Sequence, residues 1–335
     1  MNRRTFLKAL TAAALLGGCA AGGTWAFLRQ VKFGALPAGE ALQRILASPH
    51  YADGTFHNMV PRAILSDDSS FILALLRSLV AKRVNPVPPE PVPSKHIPLH
   101  TLERGQDTVL WLGHSSFFIQ LGGRRILIDP VFSPYAAPVS FSTQAFAGAT
   151  PYSVHDMPDI DCLLISHDHW DHLDYPTVMG LKPKIRNIVC VGAHFRRWGF
   201  PNSLIHEADW GDTLPLDATV RIHVTTASHY SGRSLTRNKT LWAGFLLESA
   251  SRKIFFSGDS YTLLDEGKEV LDQVARSIAE VGPSINEIRV LGHTAQATAN
   301  EENDYTVDRF LASNRATVVT VYLQEKEIID PARLV

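Results

Sequence analysis

The feature that most constrains this 335-residue chain is a run of six residues dense in metal-ligating side chains. It follows an apolar segment at 162–166 that predicts a buried strand, and it reads His167-Asp168-His169-Trp170-Asp171-His172. Imidazole and carboxylate groups are ligands that zinc and similar divalent cations prefer. In an extended turn, residues two apart face the same way, so the first two histidines predict one cation site, and the last two residues turn toward a second. The alternative is a solvated polar loop, but such loops rarely collect three histidines and two aspartates.

Composition argues for a globular body that does not bind nucleic acid. Lys plus Arg number 32 and Asp plus Glu 33, so no basic excess exists to neutralise a phosphate backbone. Hydrophobic residues make up 45% of the chain, which suits a soluble domain with a sizeable core. The cysteines Cys19, Cys162 and Cys190 lack paired metal-type spacing. We expect the last two, which lie in apolar runs, to be reduced core thiols, with a disulfide between them as the alternative.

The N-terminus reads as an export signal. Arg3 and Arg4 precede Phe6-Leu-Lys, and residues 9–16 are apolar, which resembles a twin-arginine signal. Residues 16–19 (Leu-Gly-Gly-Cys) resemble a bacterial lipobox, in which Cys19 becomes the lipid-modified first residue. We therefore expect an exported, membrane-anchored lipoprotein. The alternative is an uncleaved anchor, because residues 9–28 carry no charge and about 20 apolar residues can span a bilayer.

The chain divides into three parts on pattern alone. Residues 1–19 are the signal, residues 20–100 form a helical and proline-rich arm, and residues 101–335 form the main domain. Gly122-Gly123 predicts a tight hairpin turn between two strands. Apolar runs predict strands at 109–112, 117–121, 125–128, 162–165, 188–191, 220–225, 241–247 and 253–256. Strands in hairpins mixed with helices indicate layered α/β sheets.

Several motifs resemble a known family. The sequence Ser-His-x-His-x-Asp-His after a hydrophobic strand resembles the signature of the metallo-β-lactamase superfamily. Further segments resemble its branch of N-acylphosphatidylethanolamine-hydrolysing phospholipases D and their bacterial relatives: residues 53–58, 111–116, 129–133, 227–233, 238–244 and 255–260. The similarity covers roughly residues 50–265. It implies an α/β fold, the four-layer αββα sandwich, with metals at one edge of the sheets.

The resemblance also implies a ligand set. His167, His169 and His229 would hold the first metal, Asp171 and His172 the second, and Asp259 would bridge them. Two divalent cations, with zinc the leading candidate and manganese or iron as alternatives, would lower the pKa of a water molecule and stabilise an anionic transition state. Asp171 would in addition orient the attacking water or take its proton.

Other residues carry weaker interpretations. His114 is a candidate pocket group or a buried structural histidine, and Asp129 a candidate for orienting a ligand or capping a turn. Arg233 would meet a substrate phosphate or form a structural ion pair. Trp170 and Tyr230 would line an apolar substrate channel or simply pack.

The end of the chain departs from the family from about residue 268. The family places a further metal-binding histidine late in the chain, but His293 alone follows His229, and it lies on a strand too close to Asp259. The last predicted strand runs instead into Gln324-Glu325. Two explanations compete: His293 or Glu325 replaces the lost ligand, or the second metal site is weakened. We favour the weakened site.

The leading functional hypothesis is phospholipase D-type hydrolysis of a phospholipid phosphodiester, releasing phosphatidate and an N-acylethanolamine. The partner would be a phospholipid or another small-molecule ester at a membrane. The alternatives are a lactonase or other hydrolase on the same scaffold, and a weakly active or non-catalytic metal-binding lipoprotein.

Overall fold

The computed structural model describes residues 22–59, 87–189 and 192–256, together with Asp272. All structural statements below refer to these residues. The predicted signal at 1–19 lies outside them, as do Cys190, Asp259, His293 and Glu325. The elements predicted beyond residue 268 lie outside them as well.

The N-terminal arm begins with short elements that pack against the main domain. A 3-10 turn spans Val31–Phe33, helix α1 spans Gly39–Leu46, and strands β1 (Tyr51–Ala52) and β2 (Thr55–Phe56) form a small antiparallel hairpin. Phe56 is buried in the core of the main domain. The arm is therefore part of the packed body over these residues.

The larger sheet has six strands that are hydrogen-bonded in chain order. They are β3 (Thr108–Gly113), β4 (Ser116–Leu121), β5 (Arg124–Ile128), β6 (Cys162–Leu164), β7 (Ile188–Val189) and β8 (Ile205–His206). The pairs from β3 to β5 are antiparallel and those from β5 to β8 are parallel. Strands β3, β5 and β6 consequently end at the same edge of the sheet.

The predicted hairpin between β4 and β5 is confirmed. Leu121 pairs with Arg124 across a two-residue turn. Gly122 and Gly123 have φ angles of 54° and 77° there, the positive values that a type I′ turn requires.

The smaller sheet has four antiparallel strands in the order β12-β11-β10-β9. They are β9 (Thr213–Pro215), β10 (Val220–Thr225), β11 (Gly244–Ser249) and β12 (Lys253–Phe256). The strand predicted at 241–247 begins only at Gly244. Just before it, the Ala243 amide donates to the Ser166 carbonyl, at the end of the larger sheet, at 2.8 Å, and the Trp242 indole N–H donates to the Ala227 carbonyl, in the loop after β10, at 2.8 Å.

Alternation along the strands builds two cores. Phe117, Ile119 and Leu121 face the smaller sheet and pack with its strand residues, which include Val220, Ile222 and Leu247. Phe118 and Leu127 face the opposite side. Helices α2 (Tyr175–Leu181) and α3 (Gly192–Arg197) cover that side through buried residues of their own, Val178, Leu181 and Phe195.

The arrangement is thus helix on sheet on sheet, an α/β sandwich of the predicted class. The described residues supply three of the four layers. Cys162 lies between the sheets as a buried free thiol, as predicted, and burial raises its pKa. No helix within the described ranges combines the length and the apolarity that a membrane crossing needs.

Candidate metal centre

Three histidine side chains converge where β6 ends. His167 Nε2 lies 2.9 Å from His169 Nδ1, and His229 Nε2 lies 3.1 and 3.2 Å from those two nitrogens. A tetrahedral cation bound at 2.0–2.1 Å to imidazole nitrogens would place them about 3.3 Å apart. Because the observed separations are close to that value, and the donors are those zinc prefers, the residues fit a divalent cation.

Asp129 fixes the ring orientation of two histidines in the run. The Ser166 hydroxyl donates to Asp129 Oδ2 at 2.5 Å and accepts from His167 Nδ1 at 2.9 Å. His172 Nδ1 donates to the same carboxylate oxygen at 2.8 Å. Each ring therefore has its proton on Nδ1 and the lone pair of Nε2 available to a cation. Asp129 itself is fully buried, and burial raises its pKa.

His229 reaches the cluster from the loop after β10. Asn58 holds its backbone from both sides: Asn58 Nδ2 donates to the His229 carbonyl at 2.9 Å, and the His229 amide donates to Asn58 Oδ1 at 3.0 Å. The indole N–H of Trp242 also donates to Asn58 Oδ1, at 2.9 Å. The arm that carries β1 and β2 thus positions a ligand of the main domain.

A second group of ligand atoms lies beside the first. His114, Asp171 and His172 each offer one atom within 4.8 Å of the other two. Asp171 Oδ2 lies 3.2 Å from His114 Nε2 and 3.9 Å from His172 Nε2. The rings of His167 and His172 are 4.0 Å apart between centroids, so the two groups are neighbours. Two adjacent groups of ligand atoms are what a two-cation site requires.

Comparison with known proteins fits this geometry. Residues 124–302, more than half of the 335-residue chain, match the family described as the β-lactamase superfamily domain. The chain belongs to this family.

The relatives of this superfamily member include uncharacterised proteins and named phospholipases. It is 34% identical over 248 residues to an uncharacterised protein of Mycobacterium tuberculosis, a match that covers 72% of this chain and 66% of the relative. It is 30% identical over 164 residues to an N-acyl-phosphatidylethanolamine-hydrolyzing phospholipase D of Caenorhabditis elegans, covering 45% and 46% of the two chains. The matches thus span two thirds of the relatives' length or less.

Among solved structures, a metallo hydrolase of the archaeon Ignicoccus hospitalis is 18% identical to this superfamily member, with a TM-score of 0.43. The match covers 65% of this chain and 78% of that one.

Asp168 lies between His167 and His169 in sequence, but groups outside the histidine cluster hold its side chain. Its carboxylate is buried and accepts from the Gly232 amide at 2.6 Å, Thr240 Oγ1 at 2.9 Å and His194 Nε2 at 3.1 Å. Burial alone would raise the pKa of Asp168, but the hydrogen bond from His194 and the nearby charge of Arg233 outweigh it and lower the pKa to about 2. Asp168 is therefore a carboxylate, and it anchors the loop of residues 167–172, which is called the ligand loop below.

Arg233 corrects one prediction. Its guanidinium is buried and donates to the carbonyls of Asp168 at 3.0 Å, Leu173 at 2.5 Å and Lys32 at 3.1 Å. Burial lowers the pKa of Arg233 to about 10. The interpretation of Arg233 as a phosphate-binding residue is wrong for this geometry, because the buried Nη1 group donates to the backbone at Asp168 and Leu173 and the Nη2 group donates to the backbone of the N-terminal arm.

The two aromatic candidates lie in different surroundings. Trp170 stacks under the Arg233 guanidinium, 3.9 Å from the ring centroid, and meets the edge of Phe33. Trp170 therefore packs inside the loop. Tyr230 contacts the rings of His169 and His229, at centroid distances of 4.5 and 4.9 Å, and so borders the first ligand group.

The sequence interpretation missed the supporting residues Asp168, His194, Asn58 and Ser166. One signal for Asp168 was available. If His167 and His169 face a cation from an extended segment, the residue between them must face the opposite way. His194 has a structural role: its Nδ1 accepts from the Ala35 amide at 3.1 Å while Nε2 donates to Asp168. Asp259, the predicted bridging ligand, lies outside the described residues.

Proposed function

We propose that this protein is a phosphodiester hydrolase of the phospholipase D type, acting with two divalent cations, zinc above others, on N-acylphosphatidylethanolamine-like lipids. The observation that carries the proposal is the pair of adjacent ligand groups at one edge of the sheets. Two bound cations supply Lewis acidity, which lowers the pKa of a water molecule and neutralises charge on a phosphodiester.

The side chains divide the remaining work. Asp171 is the carboxylate of the loop that stays partly exposed, at 28% of its side-chain surface, and it faces His114 and His172. A carboxylate in that position can accept the proton of an attacking water, in addition to serving as a ligand. Asp129, through Ser166 and His172, keeps the imidazoles in the tautomer that a cation needs.

Two features support a lipid as the substrate. A relative at 30% identity is named as a phospholipase D that hydrolyses N-acylphosphatidylethanolamine. In addition, two large apolar side chains are exposed near the ligand-bearing segments: Trp111 at 59%, whose indole N–H donates to the His114 carbonyl at 2.6 Å, and Leu235 at 83%, in the loop that follows His229. Contact with a lipid would remove this apolar surface from water.

The location forms part of the proposal. We propose export through the twin-arginine-like signal and attachment through a lipid on Cys19, which would hold the site beside its substrate. Replacing Cys19 with Ala is expected to move the protein from the membrane fraction to the soluble fraction. Unchanged fractionation would remove the lipid anchor from the proposal.

The test of activity is turnover of a phospholipid panel by the metal-loaded protein. We expect release of phosphatidate from N-acylphosphatidylethanolamine, abolished by chelator and restored by zinc, manganese or iron, whichever is the working metal. His169→Ala should abolish the release. His223→Gln is the matched control, because His223 pairs with Glu248 on the smaller sheet and should leave activity unchanged.

Two other outcomes are informative. Chelator-sensitive turnover of a lactone without turnover of any phospholipid would move the assignment to a lactonase on the same scaffold. Metal binding without turnover of either class of substrate would support a non-catalytic metal-binding protein.

A further inference from the structure

The second ligand group raises a question that the sequence leaves open. Asp171, His172 and the predicted bridging residue Asp259 are the candidate ligands of the second cation, and the family's late histidine has no counterpart by sequence position. We propose that His114, presented by the turn between β3 and β4, is a direct ligand of the second cation. This inference rests on the proposed two-cation function, and it assigns a further ligand to the second cation site, which the sequence predicts to be the weaker of the two.

Distance supports a direct ligand. His114 Nε2 lies 3.2 Å from Asp171 Oδ2, and His172 Nε2 lies 3.9 Å from the same oxygen. A cation held at 2.0–2.2 Å by nitrogen and oxygen donors would place neighbouring donors about 3.3–3.5 Å apart. The two measured separations bracket that range. His114 and His172 also approach edge to face, with ring centroids 5.6 Å apart, and the Nε2 atoms of both rings lie within 4 Å of Asp171 Oδ2.

The backbone of the turn between β3 and β4 positions the His114 imidazole. The pairing of β3 with β4 shifts register between Trp111 and Gly113, just before the turn. Gly113 has a φ of 113°, and a Cβ there would lie 2.3 Å from the Ala149 carbonyl oxygen, so a side chain cannot stand at that position. His114 follows with a φ of 46°, a left-handed conformation that glycine or asparagine adopts more readily.

Histidine adopts left-handed backbone more often than most residues, but the conformation is still uncommon outside glycine. Residues other than glycine in left-handed backbone cluster at functional sites, where surrounding contacts hold them. Here the Trp111 indole N–H donates to the His114 carbonyl at 2.6 Å and fixes the turn. The turn therefore aims the ring at Asp171. The competing interpretation is a simple ion pair between His114 and Asp171, which would orient Asp171 without touching a cation.

Metal titration separates the two interpretations without any substrate. The variant is His114→Asn, since asparagine tolerates left-handed backbone and so removes the imidazole with little disturbance of the turn. Metal-free protein is titrated with Zn²⁺ calorimetrically and with Co²⁺ by visible spectroscopy. We expect two equivalents per chain for the wild type. For His114→Asn, the first equivalent should bind as in the wild type, whereas the second should weaken at least tenfold, with a changed Co²⁺ spectrum.

Two further variants complete the experiment. His114→Asp, which offers a carboxylate, should recover much of the second equivalent, whereas a pure ion-pairing role would be lost through repulsion with Asp171. His223→Gln should match the wild type in both equivalents. The proposal is overturned if His114→Asn binds the second equivalent with wild-type affinity and spectrum, or if the wild type binds one equivalent that His114→Asn leaves unchanged. If the titration succeeds but no phosphodiester is hydrolysed, the ligand assignment stands and the proposed substrate fails.

Discussion

Asp168 and Asp171 lie three residues apart in one short loop, and the structure gives them opposite surroundings. Asp168 is buried, with donors from Gly232, Thr240 and His194. Asp171 is 28% exposed and faces His114 and His172. One carboxylate holds the loop to the protein, and the other is available to cations and substrate. A cluster of ligand-type residues therefore contains both ligands and the supports that position them, and only geometry separates the two.

The difference has a physical origin. On the side of the loop where Asp168 lies, the groups are buried and water cannot reach them. Each hydrogen bond there satisfies a buried group, and its loss would leave a buried charge without a partner. On the site side, water can solvate a carboxylate, so the same residue type carries little of the stability. Substitutions on the two sides should consequently change different measurable quantities.

The largest expected effect is on activity, from Asp171→Asn. Removing the charge of the proposed ligand and proton acceptor should lower the rate of phosphodiester hydrolysis by about 10²–10⁴-fold. The free energy of unfolding of the metal-free protein should change by less than about 0.5 kcal/mol, as for surface substitutions in general. Steady-state rates and urea unfolding measure the two quantities.

Asp159→Asn is the control, because the Asp159 carboxylate forms an exposed ion pair with Arg186 at 3.0 Å. It should change neither quantity. A large loss of stability in Asp171→Asn would contradict the distinction between the two carboxylates.

Asp168→Ala should have the largest effect on stability. It leaves the donors of Gly232, Thr240 and His194 without their carboxylate, and breaking a buried charge network typically costs about 3–5 kcal/mol. Urea unfolding of metal-free protein measures the loss. Metal affinity should fall with it, since the flanking ligands His167 and His169 lose their anchor. A loss of stability below about 1 kcal/mol would break the comparison.

Arg233→Met should be next in size. It removes the donors to the carbonyls of Asp168, Leu173 and Lys32, and we expect a loss of about 2–4 kcal/mol, partly offset by the apolar side chain that replaces the buried guanidinium. Arg186→Met is the exposed control. The KM for phosphodiester should stay near the wild-type value in the folded fraction. A raised KM with unchanged stability would instead restore the phosphate-binding interpretation.

The sequence predicted more of the fold than of the contacts within the candidate metal site. The apolar runs at 117–121 and 125–128 and the Gly122-Gly123 turn predicted the hairpin correctly, because strand-forming runs and turn chemistry are local. The position of the histidine run after a buried strand was also predictable, since Cys162–Leu164 is uniformly apolar.

The partners of the loop were not predictable in the same way. Which residue Arg233 binds depends on where an irregular loop meets the end of β6, and neither segment has a period that fixes side-chain direction. The interpretation of His114 as a pocket group lacked its partner for the same reason: Asp171 is 57 residues away in sequence and joins it only through the sheet edge. The predicted start of the strand at 241–247 was wrong, because the Trp242 side chain turns toward Asn58 and the strand begins only at Gly244.

The smallest expected effect sharpens the comparison most closely. Thr240→Val replaces a buried hydroxyl that donates to Asp168 Oδ2 at 2.9 Å with a methyl group of similar size. A hydrogen bond to a charged acceptor contributes about 1.5–3 kcal/mol, so urea unfolding should show a loss in that range with metal stoichiometry unchanged. Thr236→Val, on the exposed part of the same loop, should lie within about 0.5 kcal/mol of the wild type. In the Asp168→Ala background, Thr240→Val should have little further effect, because the acceptor is already gone. If the two losses of unfolding free energy simply add, Thr240 stabilises the fold through contacts other than its hydrogen bond to Asp168. The buried carboxylate of Asp168 is then not the main support of the ligand loop.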